Sequence, residues 1–243
     1  DGRLGWQTVA NDISKPLHSV SVMDPKSVWA VGESGNFKNP AIYKFNGDAW
    51  EKAKFTTSMF NFKASAGSYN LKAIKMLNST QGWAVGEYDS LLSGLTGKKG
   101  VMFTYNSMKG IWEEVKFKQE HQERYDQVTF NSIGMMSANK GWLLGNTIQK
   151  AMDFSPNKEV SGNLLQTDGI SIVPASDFQA QALSQAFNGI DIRENGNGVI
   201  VGDQGMILQH QYDVNYRQRY GNFSNFNGEF GQGYDGTNSM PGY

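Results

Sequence analysis

Gly82-Trp83-Ala84-Val85-Gly86-Glu87 decides the fold, because the stretch recurs. Val28-Trp29-Ala30-Val31-Gly32-Glu33 precedes it. Gly141-Trp142-Leu143-Leu144-Gly145-Asn146 and Gly198-Val199-Ile200-Val201-Gly202-Asp203 follow it. Each copy trails a bulky apolar residue at one fixed distance. Leu17, Leu71, Phe130 and Phe187 stand 15 residues before Gly32, Gly86, Gly145 and Gly202. Four identical spacings define an internal repeat, with 54, 59 and 57 residues between successive closing glycines. Short alternating strands repeated at that period are the pattern of propeller blades.

Each unit reads as strands A to D. In unit one, residues 17–55, Leu17, Val20 and Val22 mark strand A, residues 29–32 strand B and residues 41–45 strand C. Asn46-Gly47-Asp48 is a hairpin turn, since Asn and Gly tolerate positive φ, and Trp50 opens strand D. Unit two, residues 71–117, repeats the order, with Trp112 in strand D. Unit three has strand A at 130–135, strand C at 163–167, the turn Asp168-Gly169 and strand D at 170–173. Unit four has strands at 187–192, 199–202 and 206–210, and only Val214 marks a fourth. The segment Leu4-Gly5-Trp6-Gln7-Thr8-Val9 matches the strand D sequences at Trp50 and Trp112 rather than the start of a unit. It is therefore expected to pair with unit four, close the ring and remove two free sheet edges. The expected fold is an all-β β-propeller over residues 1–212, with four blades of four antiparallel strands. Five blades, or an incomplete ring finished by a partner chain, are the alternatives.

Composition agrees. The 243 residues include 28 Gly, 30 aromatic residues and 6 Pro, a chain of many short strands joined by turns. There is no cysteine, so neither a disulfide nor a thiolate metal site holds the fold. A net charge of −1 argues against a nucleic-acid binder, which carries a basic stripe. No apolar run approaches the roughly 18 residues of a membrane helix, so no direct membrane insertion is expected. The chain opens at Asp1 rather than Met, which reads as processing, by signal-peptide removal or trimming.

At these residues the chain resembles the bacterial and plastid propellers built from BNR-like repeats, the photosystem II assembly-factor family among them. The shared pattern is an apolar strand, Gly-Trp-x-Val-Gly, a second apolar strand, a Gly/Asp turn and a Trp, and it spans about residues 4–212. The resemblance implies a propeller and the role of an assembly factor for a membrane protein complex. Some relatives with this repeat are sialidases, but the full Asp-box is absent: Ser107-Met108-Lys109-Gly110-Ile111-Trp112 keeps Ser, Gly and Trp without the Asp. The arginines that sialidase chemistry needs are also short. Only Arg3, Arg124, Arg193, Arg217 and Arg219 exist, and Arg193 alone lies near a strand A. No enzymatic activity is expected, and no catalytic residue is assigned.

The six tryptophans all occupy repeat positions and are expected to fill the wedges between blades. The repeated glycines mark turns or close packing rather than phosphate binding. His18, His121 and His210 share no ligand spacing, so no metal or cofactor is assigned. Asp24, Asp48 and Asp168 sit in turns, where carboxylates cap backbone. The long B–C and D–A connections fall on one face of the ring, and long loops on a rigid scaffold carry binding. Two polar rows point to that face. The second position of strand A is His18, Lys72, Asn131 and Asn188, and the residue after strand B is Glu33, Glu87, Asn146 and Asp203. Together they are the candidate channel-mouth site for a peptide, a glycan or a cation. Residues 213–243 form a Gly/Asn/aromatic tail that cannot build its own core and is expected to dock on the propeller or a partner. Phe223, Phe226, Phe230 and Tyr234, at intervals of 3, 4 and 4, are its candidate assembly anchors. The expectation is a non-enzymatic protein–protein interaction scaffold whose partners are other subunits of an extracytoplasmic or cell-surface assembly. A glycan-binding or glycoside-processing propeller is the alternative.

Overall fold

A computed structural model describes residue 5 and residues 13–35, 39–56, 67–90, 97–117, 128–148, 160–175 and 185–210. Four antiparallel sheets are arranged as the blades of a four-bladed β-propeller. Blade one holds β1 (Leu17–Asp24), β2 (Ser27–Gly32), β3 (Ala41–Phe45) and β4 (Trp50–Lys52), followed by the short β5 (Lys54–Thr56). Blade two holds β6 (Gly67–Met76), β7 (Gly82–Ser90), β8 (Gly97–Asn106) and β9 (Ile111–Phe117). Blade three holds β10 (Val128–Ser137), β11 (Lys140–Ile148), β12 (Val160–Thr167) and β13 (Ser171–Pro174). Blade four shows β14 (Phe187–Ile192), β15 (Gly198–Gly202) and β16 (Ile207–His210). Its expected closing strand, residues 4–9, lies outside the described residues apart from Gly5, as does the whole tail from residue 211.

The repeat has a mechanical explanation. In all four blades the A–B ladder slips by one residue at the same place, between Leu17 and Ser19, Leu71 and Ala73, Phe130 and Ser132, and Phe187 and Gly189. Such a bulge leaves one residue unpaired and re-aims its side chain. The unpaired residues are His18, Lys72, Asn131 and Asn188. The bulge also brings the strand A backbone onto the closing glycine of strand B. A Cβ on Gly32, Gly86 or Gly202 would collide with the carbonyl oxygen of Pro16, Asn70 or Ala186, and one on Gly145 with Thr129 and Val128. Close approach, not left-handed backbone, therefore explains these four glycines.

Three hydrophobic clusters fill the wedges between successive blades. Trp29 of blade one packs with Ile74, Met76, Phe103 and Trp112 of blade two. Trp83 of blade two packs with Ile133, Met135, Leu165 and Ile172 of blade three. Trp142 of blade three packs with Phe187, Ile192 and Ile200 of blade four. Trp29, Trp83, Trp112 and Trp142 are buried as expected, whereas Trp50 is half-buried against Phe45. Serine hydroxyls pin the first strands together. Ser19 and Ser21 Oγ accept from the backbone N–H of Ile74 and Met76 (3.3 and 3.1 Å), and Ser132 Oγ accepts from Ile190 (3.3 Å). Each such bond contributes about 1 kcal/mol net.

Two sequence expectations need correction. Residues 50–55 are not one strand: the chain leaves blade one at Ala53, and β5 runs parallel to β9 of blade two. β9 in turn pairs in parallel with β13, so the outer strands of neighbouring blades are laced together. Short parallel pairings between distant segments leave no periodicity to read. The long B–C connections are also partly strand. Glu87–Ser90 pairs with Gly97–Gly100, and Asn146–Ile148 with Val160–Gly162, extending two hairpins past the closing glycine. Only their tips, and most of the D–A connections, lie outside the described residues.

Candidate functional site

Two surfaces compete: the polar rows and the outer faces of blades one and four. The ladders set Leu17 opposite Gly32, Leu71 opposite Gly86, Phe130 opposite Gly145 and Phe187 opposite Gly202. In blades one and four the bulge residue pairs with the residue that follows strand B. In blade one His18 Nε2 lies 3.6 Å from Glu33 Oε1. In blade four Asn188 Nδ2 donates to Asp203 Oδ1 at 2.8 Å. Both pairs are at the surface.

The other two units use the same positions differently. Glu87 is buried, and its Oε1 accepts from Lys98 Nζ (2.9 Å) and Asn70 Nδ2 (3.4 Å). The hydrogen bond to Glu87 raises the pKa of Lys98 above its ordinary value, with burial opposing. Asn146, also buried, is a two-way staple: its Oδ1 accepts from Phe187 N–H (3.0 Å) and its Nδ2 donates to Phe187 C=O (3.3 Å). Asn131 Nδ2 donates to that same carbonyl at 3.0 Å. Asn131 and Asn146 thus hold blade four to blade three. Between blades one and two, Ser34 does this work, exchanging bonds with the Tyr69 backbone at 2.8 Å. Among the described residues no three His, Asp or Glu side chains gather closely enough to hold a metal ion.

The turn residues divide in the same way. Asp24 Oδ1 accepts from Lys26 N–H at 2.7 Å. Asp168 accepts from Ile170 N–H, Ser171 N–H and Ser171 Oγ. In the 46–48 turn Asn46, not Asp48, is the cap: its Oδ1 accepts from Asp48 and Ala49 N–H. The candidate tail anchors Phe223, Phe226, Phe230 and Tyr234 lie outside the described residues.

The second surface was not singled out from sequence. Leu17, Val20 and Val22 occupy the repeat positions of Leu71, Ile74 and Met76, of Phe130, Ile133 and Met135, and of Phe187, Ile190 and Ile192. In blades two to four these residues are buried, Ile190 partly, against the tryptophan of the preceding blade. In blade one the exposures are 41 %, 59 % and 65 %. Blade four shows the reciprocal face. Val199 stands where blades one to three have Trp29, Trp83 and Trp142. Val199 is 41 % exposed, Val201 44 % and Ile207 70 %. Among the described residues nothing covers the two faces that would meet between blades four and one, and they form an open apolar seam. The signal was in the repeat: this seam has valine where the three internal wedges have Trp, Ile or Met.

No family model matches the chain, and no curated protein matches it. Solved structures do, among them one described as "YCF48 bound to D1 peptide". It shares 15% identity with this chain, covers 85% of it and 81% of its own length, and superposes with a TM-score of 0.27.

Proposed function

We propose that the protein is a non-enzymatic protein–protein interaction scaffold, a subunit of a larger extracytoplasmic or cell-surface assembly. The observation that carries this reading is the open seam. Soluble proteins seldom leave a row of aliphatic residues uncovered unless something binds there. Here Leu17, Val20 and Val22 repeat positions that are interface in every other blade. By the logic of those wedges, the blade one face accepts an aromatic-bearing β-surface, and the blade four face accepts an Ile/Met-bearing strand. The partner is thus a protein with an apolar β face. The role of assembly factor, which the repeat's resemblance implies, is the finer form of this reading. The tail at 213–243 is its second contact.

The test is a pair of variants of the full chain recovered from its own cells and weighed by native mass spectrometry. Val20→Glu/Val22→Glu changes residues exposed in the isolated chain, so its melting temperature should hold while partner recovery falls at least tenfold. Phe223→Ala/Phe226→Ala/Phe230→Ala reports on the tail separately. A seam variant that keeps its partner at unchanged stoichiometry contradicts the seam as interface. Turnover of an aryl glycoside, abolished by replacing a carboxylate, contradicts the scaffold itself.

A further inference from the structure

The turn that joins β6 to β7 carries a triplet found at no other described asparagine, Asn78-Ser79-Thr80. Asparagine two residues before a serine or threonine, with no proline between, is the acceptor pattern for N-linked glycans. The pattern needs an accessible amide, and the turn supplies one. Asn78, Ser79, Thr80 and Gln81 are all exposed. Backbone bonds from Leu77 and Asn78 N–H to Gln81 C=O, at 3.0 and 3.4 Å, close the turn beneath them.

Within the turn Thr80 approaches Asn78 twice. Its N–H and its Oγ1 hydroxyl both donate to Asn78 Oδ1, at 2.9 and 2.8 Å. The two bonds fix the carboxamide and hold the hydroxyl against it. Asn78 Nδ2, the atom that would bear the sugar, donates to Gln81 Oε1 at 2.9 Å. That bond joins two exposed side chains, so water replaces it at little cost. Capping the turn does not require this arrangement. Asn46 Oδ1 caps Asp48 and Ala49 N–H, and Asn106 Oδ1 caps Lys109 N–H, both without a hydroxyl residue two positions on. The Thr80 hydroxyl is what sets Asn78 apart.

We propose that Asn78 is an N-glycosylation site of the native protein, modified by a transferase that uses a glycosyl donor with a diphosphate leaving group. The bond from Nδ2 to the anomeric carbon forms as the bond from that carbon to the diphosphate oxygen breaks. The diphosphate leaves with the electron pair, and Nδ2 gives up one proton. The proposal rests on the extracytoplasmic part of the reading above, because this pattern is used on surface loops of secreted proteins. It also gives the molecule a solvent side. The ten residues of β6 place Asn78 about 30 Å from the end of the blade that carries the long hairpins. A bulky, hydrated glycan there keeps the short-turn face in water. Asn78 belongs to blade two, so the seam between blades four and one stays free to bind.

The test is peptide mapping of the full-length protein from its own cells. Trypsin releases residues 76–98, and this peptide should carry the glycan. Peptide N-glycosidase in heavy-oxygen water should then turn Asn78 into isotope-marked aspartate. Asn46, Asn106 and Asn139 should carry no mark. Asn222-Phe223-Ser224 is the chain's other such triplet and lies outside the described residues, and mapping keeps its signal apart. Thr80→Val keeps the side-chain shape without the hydroxyl and should lower Asn78 occupancy at least tenfold. Thr80→Ser should restore it, and the melting temperature should hold in both. Unmodified Asn78 in the native protein overturns the proposal, as does full occupancy in Thr80→Val. A second arm finds the cause of a negative result by sending the full chain, behind a cleavable signal peptide, into a secretory lumen that holds an oligosaccharyltransferase. Modification there but not in the native protein means that the extracytoplasmic reading fails. No modification in either means that the turn is not an acceptor.

Discussion

The wedge between blades one and two and the seam between blades four and one are built from the same repeat positions, yet they differ in size and fate. The wedge opposes Trp29 to Leu71, Ile74 and Met76, all buried, and ties the first strands together through Ser19 and Ser21. The seam offers Val199 to Leu17, Val20 and Val22, all substantially exposed. Blade four has Gly189 at the repeat position of Ser19 and Ser132, so it brings no hydroxyl to bond the backbone of a next blade. Repeat position decides which face a residue occupies. Side-chain size decides whether that face is stabilised within the chain, since blade two has Ala73 at the Ser19 position and its wedge with blade three is packed all the same. Fully burying each aliphatic side chain is worth about 1.5–3 kcal/mol, so the seam holds unspent driving force for association.

The largest expected effect separates these regions directly. Trp112→Ala removes the central ring of a wedge and should cost about 3–5 kcal/mol, measured by urea unfolding. Val199→Ala, at a seam position that internal blades fill with Trp, should stay within about 0.5 kcal/mol. Equal costs would mean that the seam is closed in the isolated chain. A smaller contrast uses glycine. Gly86→Ala drives a methyl group into the backbone of Asn70 and Leu71 and should cost about 2 kcal/mol. At Gly189 an added Cβ meets only Val201 Cγ2, at 3.5 Å. Gly189→Ala should therefore be neutral within about 0.5 kcal/mol, and a loss comparable to that of Gly86→Ala would show that blade four is covered on this side.

Much of this was legible before any coordinates. The 15-residue spacing placed strands A and B in all four units, because a bulge and a closing glycine recur at fixed separation and both leave a sequence mark. Of the five tryptophans among the described residues, four are buried in or beside the wedges. The parallel lacing of β5, β9 and β13 was not legible, since pairings two or three residues long between segments far apart have no period. The polar rows were found as positions, but their uses could not be. Glu33 and Asp203 are paired within exposed ends, Glu87 is paired beneath Lys98, and Asn146 is bonded to the backbone of another blade. Those differences come from neighbours some 11 to 41 residues away in sequence. The seam was legible in principle as valine in place of Trp, Ile and Met, but alternation marks an apolar face without saying whether anything covers it.

The smallest effect concerns pH. Asp168 holds the turn that presents Gly169 C=O to Trp83 Nε1 at 3.0 Å, across the wedge between blades two and three. Burial pushes the Asp168 carboxyl up, but bonds from Ser171 Oγ and from the backbone N–H groups of Ile170 and Ser171 outweigh it, and its pKa falls below the ordinary 3.8. A depressed carboxylate stabilises the fold above the unfolded-state pKa and loses that contribution as pH drops through the folded-state value. Asp168→Asn should therefore cost about 1 kcal/mol at neutral pH and progressively less as pH falls below the ordinary carboxylate range and the wild-type carboxyl takes up its proton. Tryptophan fluorescence during denaturation would follow it. A constant difference between variant and wild type down to pH 2 would rule out the charge as the source.

The central claim, that the seam is open in the isolated protein and covered in its assembly, is tested most directly by thiol labelling. The chain has no cysteine, so Val20→Cys and its repeat counterparts Ile74→Cys and Ile133→Cys each place one reporter at one repeat position. In the isolated protein the Val20→Cys thiol should react with a maleimide at nearly the rate of a free peptide, and the other two at least a hundredfold more slowly. In the purified assembly the Val20→Cys thiol should become as protected as they are. A Val20→Cys thiol already protected in the isolated chain, or one that stays freely reactive in the assembly, would contradict the account.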